Sequence, residues 1–242
     1  MLCELKRLFA GRGMWTAMLL AVSAILSGTA WTGIAETSET GNFLLLVQNA
    51  LCSRSVYFLM PVVAVLPWSD SILSERKGGF LKSILSRCIR RVYVENKILT
   101  VALGAFLSWI IAGMAVSFLF FVFFFPMEKK GMISISMIWG MAAVLIRCGL
   151  IAATLGTIGG ICAVLSESSY LAFGFPLVGY YFCIIIQERY FPDALWIYPP
   201  EWIAGSVNWG VNQEGLWCFL LIFLVLSIVL HGFILYGKIE EL

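Results

Sequence analysis

Long runs of apolar residues set the strongest limit on what this chain can fold into. Of its 242 residues, 61% are hydrophobic and 12% are charged, and the mean hydropathy is +0.94. A soluble domain carries roughly 25% charged and about 45–50% apolar residues. Because so few charges cannot cover a water-exposed surface, the composition excludes a soluble fold and predicts an integral membrane protein.

Six of the apolar runs are long enough to cross a bilayer, which takes about 20 helical residues each. Backbone polar groups in lipid must be paired within the segment, so each run is expected to be an α-helix. The sequence thus predicts an all-α transmembrane domain over residues 14–238, with residues 43–52 too short to cross alone. The expected spans are residues 14–34, 55–73, 98–125, 132–165, 169–187 and 215–236.

A short amphipathic segment, residues 1–13, precedes the first span. Its leucines and Phe9 recur at helical spacing, with Glu4, Lys6 and Arg7 between them. This pattern is typical of a helix that lies in the membrane surface.

Positive charge is concentrated in residues 74–97, between the second and third spans. Within this block, apolar residues recur at intervals of three and four, which predicts an amphipathic helix after a turn at Gly78-Gly79. The charge could serve only to fix topology and bind anionic lipid, or the helix could form a docking surface. The block holds seven of the 16 Lys and Arg residues: Arg76, Lys77, Lys82, Arg87, Arg90, Arg91 and Lys97.

The distribution of Lys and Arg also predicts the orientation of the chain. With the N-terminus inside, eleven of these residues fall on the cytoplasmic side and four on the outer side, with Arg147 inside a span. Since positive loops stay in the cytoplasm, we expect a multi-pass protein of the cell membrane with both termini cytoplasmic. The net charge of +2 is too small to indicate a nucleic-acid partner.

Residues 188–214, on the predicted outer side, are too polar for a span and too aromatic for a simple loop. Their Trp and Tyr residues favour the headgroup layer, so short helices that dip into the outer interface are expected.

Two further features lie within the fourth span. An arginine at mid-bilayer costs roughly 2.5–3.5 kcal/mol, so Arg147 should face protein or water, as a structural ion pair or a substrate contact. Gly156 and Gly160 form a small-x-x-x-small pair that favours close packing against a helix of this chain or of a partner.

Residues that could carry catalysis, a cofactor or a metal are absent from the sequence pattern. His231 is the single histidine, and the seven cysteines have no C-x-x-C spacing. The segment Gly232–Lys238 has the spacing of a phosphate-binding loop, but Ile239 stands where Ser or Thr should bind magnesium. We therefore expect no enzyme activity in this chain, and any active work would need energy from another subunit.

Taken together, the surface helix, six spans, basic loop and aromatic outer loop resemble the permease subunit of type-2 ABC exporters. The most specific stretch runs from Glu75-Arg76-Lys77-Gly78-Gly79 to Lys97. The resemblance implies a coupling helix within residues 75–92 whose apolar face fills a groove of a separate subunit that binds ATP and Mg. The coupling residues it implies are Glu75, Arg76, Gly78, Gly79, Leu81, Ile84, Leu85 and Arg87.

The same resemblance implies a second permease, identical or paralogous, and an extracellular gate within residues 188–214. The gate candidates are Tyr198, Pro199, Pro200 and Trp202, although many relatives carry Asn-Pro at this point. In its small size, the chain is most similar to the permeases for bacteriocin or lantibiotic self-protection and for peptide export. A membrane scaffold or immunity protein that binds a partner within the bilayer without ATP remains the alternative, and an intramembrane enzyme is a third.

Overall fold

A computed structural model describes residues 2–31, 43–86, 89–125, 134–210 and 213–240. The described residues form helices and no β-strand, so the prediction of an all-α chain is confirmed. The helices are α1 (Leu2–Ala10), α2 (Arg12–Trp31), α3 (Phe43–Leu51), α4 (Arg54–Val65), α5 (Ser71–Lys77), α6 (Phe80–Leu85), α7 (Arg90–Phe124), α8 (Ile135–Ser166), α9 (Ser169–Tyr190), a 3-10 turn (Leu195–Ile197), α10 (Pro199–Ala204) and α11 (Glu214–Glu240).

Four of these helices, α7, α8, α9 and α11, are long and apolar enough to cross a membrane by themselves. Two further pairs of helices are long and apolar enough to cross a membrane only when both helices of the pair are counted: α1 with α2, bent by 59°, and α3 with α4, bent by 60°. The described chain therefore contains four candidate spans, or up to six if each bent pair is one span. This agrees with a multi-pass membrane protein.

The second span differs from its prediction. Helix α4 ends at Val65 and a turn precedes α5, so residues 55–73 do not form one continuous helix. Pro67 explains the break, because proline has no N–H to donate and its ring clashes with the preceding helical turn. Residues 43–52, which alone are too short for a span, form most of the other arm of the bent pair α3–α4.

The later helices lie close to the predicted spans, with one extension. Helix α7 begins at Arg90, so the last part of the predicted loop 74–97 belongs to this helix. Residues 126–133, between α7 and α8, lie outside the described residues.

Helix α8 forms the centre of the bundle. In its most apolar 18-residue window 78% of the residues are buried inside the chain, against 17–33% for α7, α9 and α11. A Cβ at Gly156 would lie 2.9 Å from both the Ala105 Cβ and the Ala64 backbone oxygen, and one at Gly160 would press on the His231 ring of α11. The small residues of α8 thus accommodate helices of this same chain.

Ion pairs define one end of the bundle. Arg7 binds Glu75, while Arg76 and Lys238 both contact Glu167. Helix α1, the α5–α6 segment, the α8–α9 turn and the last turns of α11 therefore lie together at one end, which we call the basic end. Arg54 and α10 lie at the opposite end.

Candidate functional site

The basic end is built around the turn between α5 and α6. Gly78 closes α5: its N–H donates to the Ser74 carbonyl at 3.0 Å, and the Gly79 N–H donates to the Arg76 carbonyl at 3.1 Å. Gly79 then adopts a left-handed backbone with φ of 71°, and a Cβ there would meet nothing within 4 Å. Glycine is therefore favoured by the backbone conformation, not by lack of space.

A partly buried ion cluster lies beside this turn and comprises Glu4, Arg7, Glu75, Tyr93 and Lys97. Glu75 Oε1 accepts hydrogen bonds from Lys97 Nζ at 2.8 Å and from Arg7 at 2.7 Å, and Glu75 Oε2 accepts one from the Tyr93 hydroxyl at 2.7 Å. Glu4 completes the cluster by contacting Arg7 at 2.9 Å and Lys97 at 3.2 Å. The cluster joins α1, α5 and α7.

The charges of the ion cluster balance, with two carboxylates and two cations. Lys97 is 0% exposed, and its ammonium lies 5.4 Å from the centre of the Trp68 ring, within the range of a cation–π contact. Burial by itself raises the pKa of Glu75, but the Lys97 ammonium and the hydrogen bonds from Lys97, Tyr93 and Arg7 bring that pKa below its usual value. The carboxylate is therefore the stable form in this environment.

A second, more exposed ion pair closes the other side of the segment. Arg76 donates to Glu167 at 2.7 Å, and Lys238 lies 3.6 Å from the same carboxylate. The hydrogen bond from Arg76 lowers the pKa of Glu167. This pair links α5 to the α8–α9 turn and to α11.

An apolar cluster beneath the segment buries one of the predicted coupling residues. Leu81 is 4% exposed, and Ile84 packs against the same cluster. Leu81 therefore lies in the core of this chain and does not present a free apolar face to a partner. The cluster contains Ile72, Leu81, Tyr93, Val94, Ile98, Val164, Leu235 and Ile239.

The surface of the segment is formed by other residues. Phe80 is 66% exposed and Ile89 is 74% exposed, with exposed Lys77, Arg90 and Arg91 around them. Periodicity identifies Phe80 and Leu81 as apolar positions but does not show which of them faces outward. Among the other predicted coupling residues, Glu75 is in the ion cluster, Leu85 ends α6, and Arg87 lies outside the described residues.

The predicted gate residues lie together at the opposite end. Pro199, Pro200 and Trp202 are buried in α10, and Tyr198, just before it, is half-buried. Trp202 donates to the Trp196 carbonyl at 3.0 Å, and its ring contacts Phe219 and Phe223 of α11. The short helix is thus packed into the bundle.

Arg147 lies where the end of α10 packs against α8, away from the basic end, and precedes Glu167 by twenty residues in the sequence. The side chain is 6% exposed and interacts electrostatically with Glu201 of α10.

Neither end of the described chain groups three or more residues that could hold a metal ion. Comparison with protein-family models finds no match, and none of the curated proteins matches the chain either. Its function must therefore be argued from its own geometry.

Proposed function

We propose that this chain is the membrane-spanning permease subunit of an ATP-driven exporter that moves a peptide or lipophilic compound out of the cytoplasmic membrane. ATP and Mg would be bound by a separate subunit, and a second permease would complete the transporter. The observation that carries the proposal is the way in which the α5–α6 segment is fixed to the long helices.

The segment contacts every long helix that ends beside it. The ion cluster connects it to α7, the Arg76–Glu167 pair connects it to the α8–α9 turn, and the apolar cluster connects it to α8 and α11. Close-packed protein interiors transmit displacement because they compress little. A push on this segment would therefore reach the membrane helices.

The exposed face of the segment suits a protein partner. Phe80 and Ile89 offer apolar anchors, which contribute most to interface affinity when they fill a pocket. The surrounding cations, Lys77, Arg90 and Arg91, would set orientation and speed association. This face replaces Leu81 and Ile84 as the proposed contact with the ATP-binding subunit.

The first prediction concerns copurification of an ATPase with this chain and its reduction by a substitution at Phe80. When the tagged full chain is purified from its native membranes, we expect an ATP-hydrolysing subunit to copurify, and Phe80→Glu to reduce its recovery about tenfold because a charge enters the proposed apolar contact. Phe191→Glu is the matched control, since Phe191 is 57% exposed at the opposite end. Absence of an ATPase from the unsubstituted preparation, or equal loss with both variants, would contradict the proposal.

The second prediction concerns the side of the membrane on which the basic end lies. The excess of Lys and Arg favours a cytoplasmic position for the basic end. With a membrane-impermeant maleimide on intact cells, we expect Asp193→Cys to react above the level of the unsubstituted chain, and Lys77→Cys to react only after permeabilisation. Labelling of Lys77→Cys in intact cells would reverse the orientation and remove the contact with a cytoplasmic motor.

The scaffold alternative gains no support from the fold. The glycine-rich fourth span does not offer it a free surface at Gly156 and Gly160, because these residues face α4, α7 and α11 of this chain.

A further inference from the structure

Arg147 is the buried charge that the coupling mechanism does not use. Its side chain is 6% exposed, and its Nε has no hydrogen-bond partner among the described residues. No described carboxylate lies within ion-pair distance of it. Of the two explanations that the sequence leaves open, a structural ion pair is therefore not the one seen.

The nearest acidic group is already engaged. Glu201 interacts electrostatically with Arg147, but its two oxygens accept hydrogen bonds from the Ser206 hydroxyl and from the Val207 N–H. Those bonds hold the chain that follows α10. The fork of donors on Arg147 is thus left without a carboxylate of its own.

A second buried polar group in the same region is also unpaired. Within the part of the chain that the structure describes, the Tyr180 hydroxyl has no hydrogen-bond partner, although Tyr180 is only 3% exposed. Tyr57 and Cys148 lie within electrostatic range of both Arg147 and Tyr180. Buried polar groups are normally hydrogen-bonded, so two unpaired groups with shared neighbours indicate a place for a ligand.

The segment after α10 covers this place. Gly205 ends α10 with a left-handed backbone, and a Cβ on it would overlap the Arg147 guanidinium. The guanidinium therefore lies directly beneath the predicted gate. Movement of α10 would uncover it.

We propose that Arg147 binds the anionic group, carboxylate or phosphate, of an amphiphile that enters the bundle beneath α10. A guanidinium matches both anions because its planar donors form two parallel hydrogen bonds, which are strong in a buried site. That this amphiphile is the transported compound rests on the proposed function, whereas the proposal that it binds at Arg147 does not.

Binding to the purified full chain in a neutral detergent tests the proposal without any ATPase. The probes are dihexanoyl phosphatidic acid against dihexanoyl phosphatidylcholine, and an N-acyl dipeptide with a free carboxylate against its amide. We expect an anionic probe to bind more tightly than its neutral counterpart, and Arg147→Gln to weaken that binding about tenfold or more. The control Arg54→Gln removes an exposed cation at the same end and should leave the affinity within about twofold.

Preference for the phosphate probe identifies a lipid headgroup as the source of the anion, and preference for the carboxylate probe identifies a peptide. Both results support the anion site.

The thermal unfolding midpoint of the ligand-free chain separates a ligand site from a structural role of Arg147. The Arg147 charge is buried without an ion pair to any described carboxylate, which is costly in the ligand-free chain. Arg147→Gln should therefore unfold at the same or a higher temperature. Unchanged probe affinity in Arg147→Gln, or a marked fall in its midpoint, would overturn the proposal.

Discussion

Replacing Glu75 with glutamine is expected to lower the free energy of unfolding by about 3–5 kcal/mol, the usual cost of removing one partner from a buried ion pair. The loss arises because Lys97, 0% exposed, keeps its charge without the carboxylate 2.8 Å away. Thermal or denaturant unfolding of the purified chain in detergent measures it. The stability difference between the unsubstituted chain and Glu75→Gln should shrink as the pH falls. The pKa of Glu75 in the folded chain is below its ordinary value, so the carboxylate contributes its full stabilisation above about pH 4.3. This stabilisation is lost as the carboxylate becomes protonated in stronger acid.

Two variants separate this explanation from a general effect of losing an acidic residue. Glu95→Gln removes an exposed carboxylate that pairs with Arg91 on the same helix, and it should change stability little because exposed pairs contribute little. Combining Glu75→Gln with Lys97→Met removes both buried charges and restores neutrality, so this double variant should be more stable than Glu75→Gln alone. A double variant no better than the single one would show that the ion cluster is not the cause.

Gly160→Ala is expected to destabilise the chain by about 1–3 kcal/mol, the range for overpacking a dense core. The new Cβ would lie 3.0 Å from His231 Nε2 and closer still to the ring carbon between the nitrogens. His231 is 0% exposed and its ring nitrogens have no partner, so the ring has no hydrogen bond to lose. Adding His231→Ala should therefore recover part of the loss.

Gly156→Ala is the matched comparison, again followed by unfolding in detergent. Its Cβ would meet the Ala64 backbone oxygen and the Ala105 Cβ, so truncation of His231 should not rescue it. Gly179→Ala in α9 meets nothing within 4 Å and should be neutral or slightly stabilising, because alanine favours helix over glycine. Equal rescue of Gly156→Ala and Gly160→Ala would show that the ring contact is not specific.

The sequence predicts the helices well and their interruptions less well. Apolar length and the need to pair backbone groups are local properties, so α8, α9 and α11 fall close to the predicted spans. The break after Val65 was missed because hydropathy stays high through Pro67, and the bent pair α3–α4 was missed because each arm is short.

The sites depend on contacts that no local pattern contains. Arg7 and Glu75 are 68 residues apart, and Glu4 and Lys97 are 93 apart, so no spacing rule brings them together. The inward position of Leu81 and the outward position of Phe80 depend on where α11 and α8 end. The position of Arg147 beneath Gly205 could not be read from the fourth span, because it depends on how the distant α10 packs against α8.

The ion cluster also constrains the order of events while the chain is being made. Glu4 and Arg7 leave the ribosome first, but Lys97 follows Glu4 by 93 residues, or about 5–20 s at normal elongation rates. During that interval the first helix has no buried counter-charges and must wait among the lipid headgroups. Glu4 and Arg7 can therefore reach their final place only after the third long hydrophobic stretch, which carries Lys97, has begun to emerge.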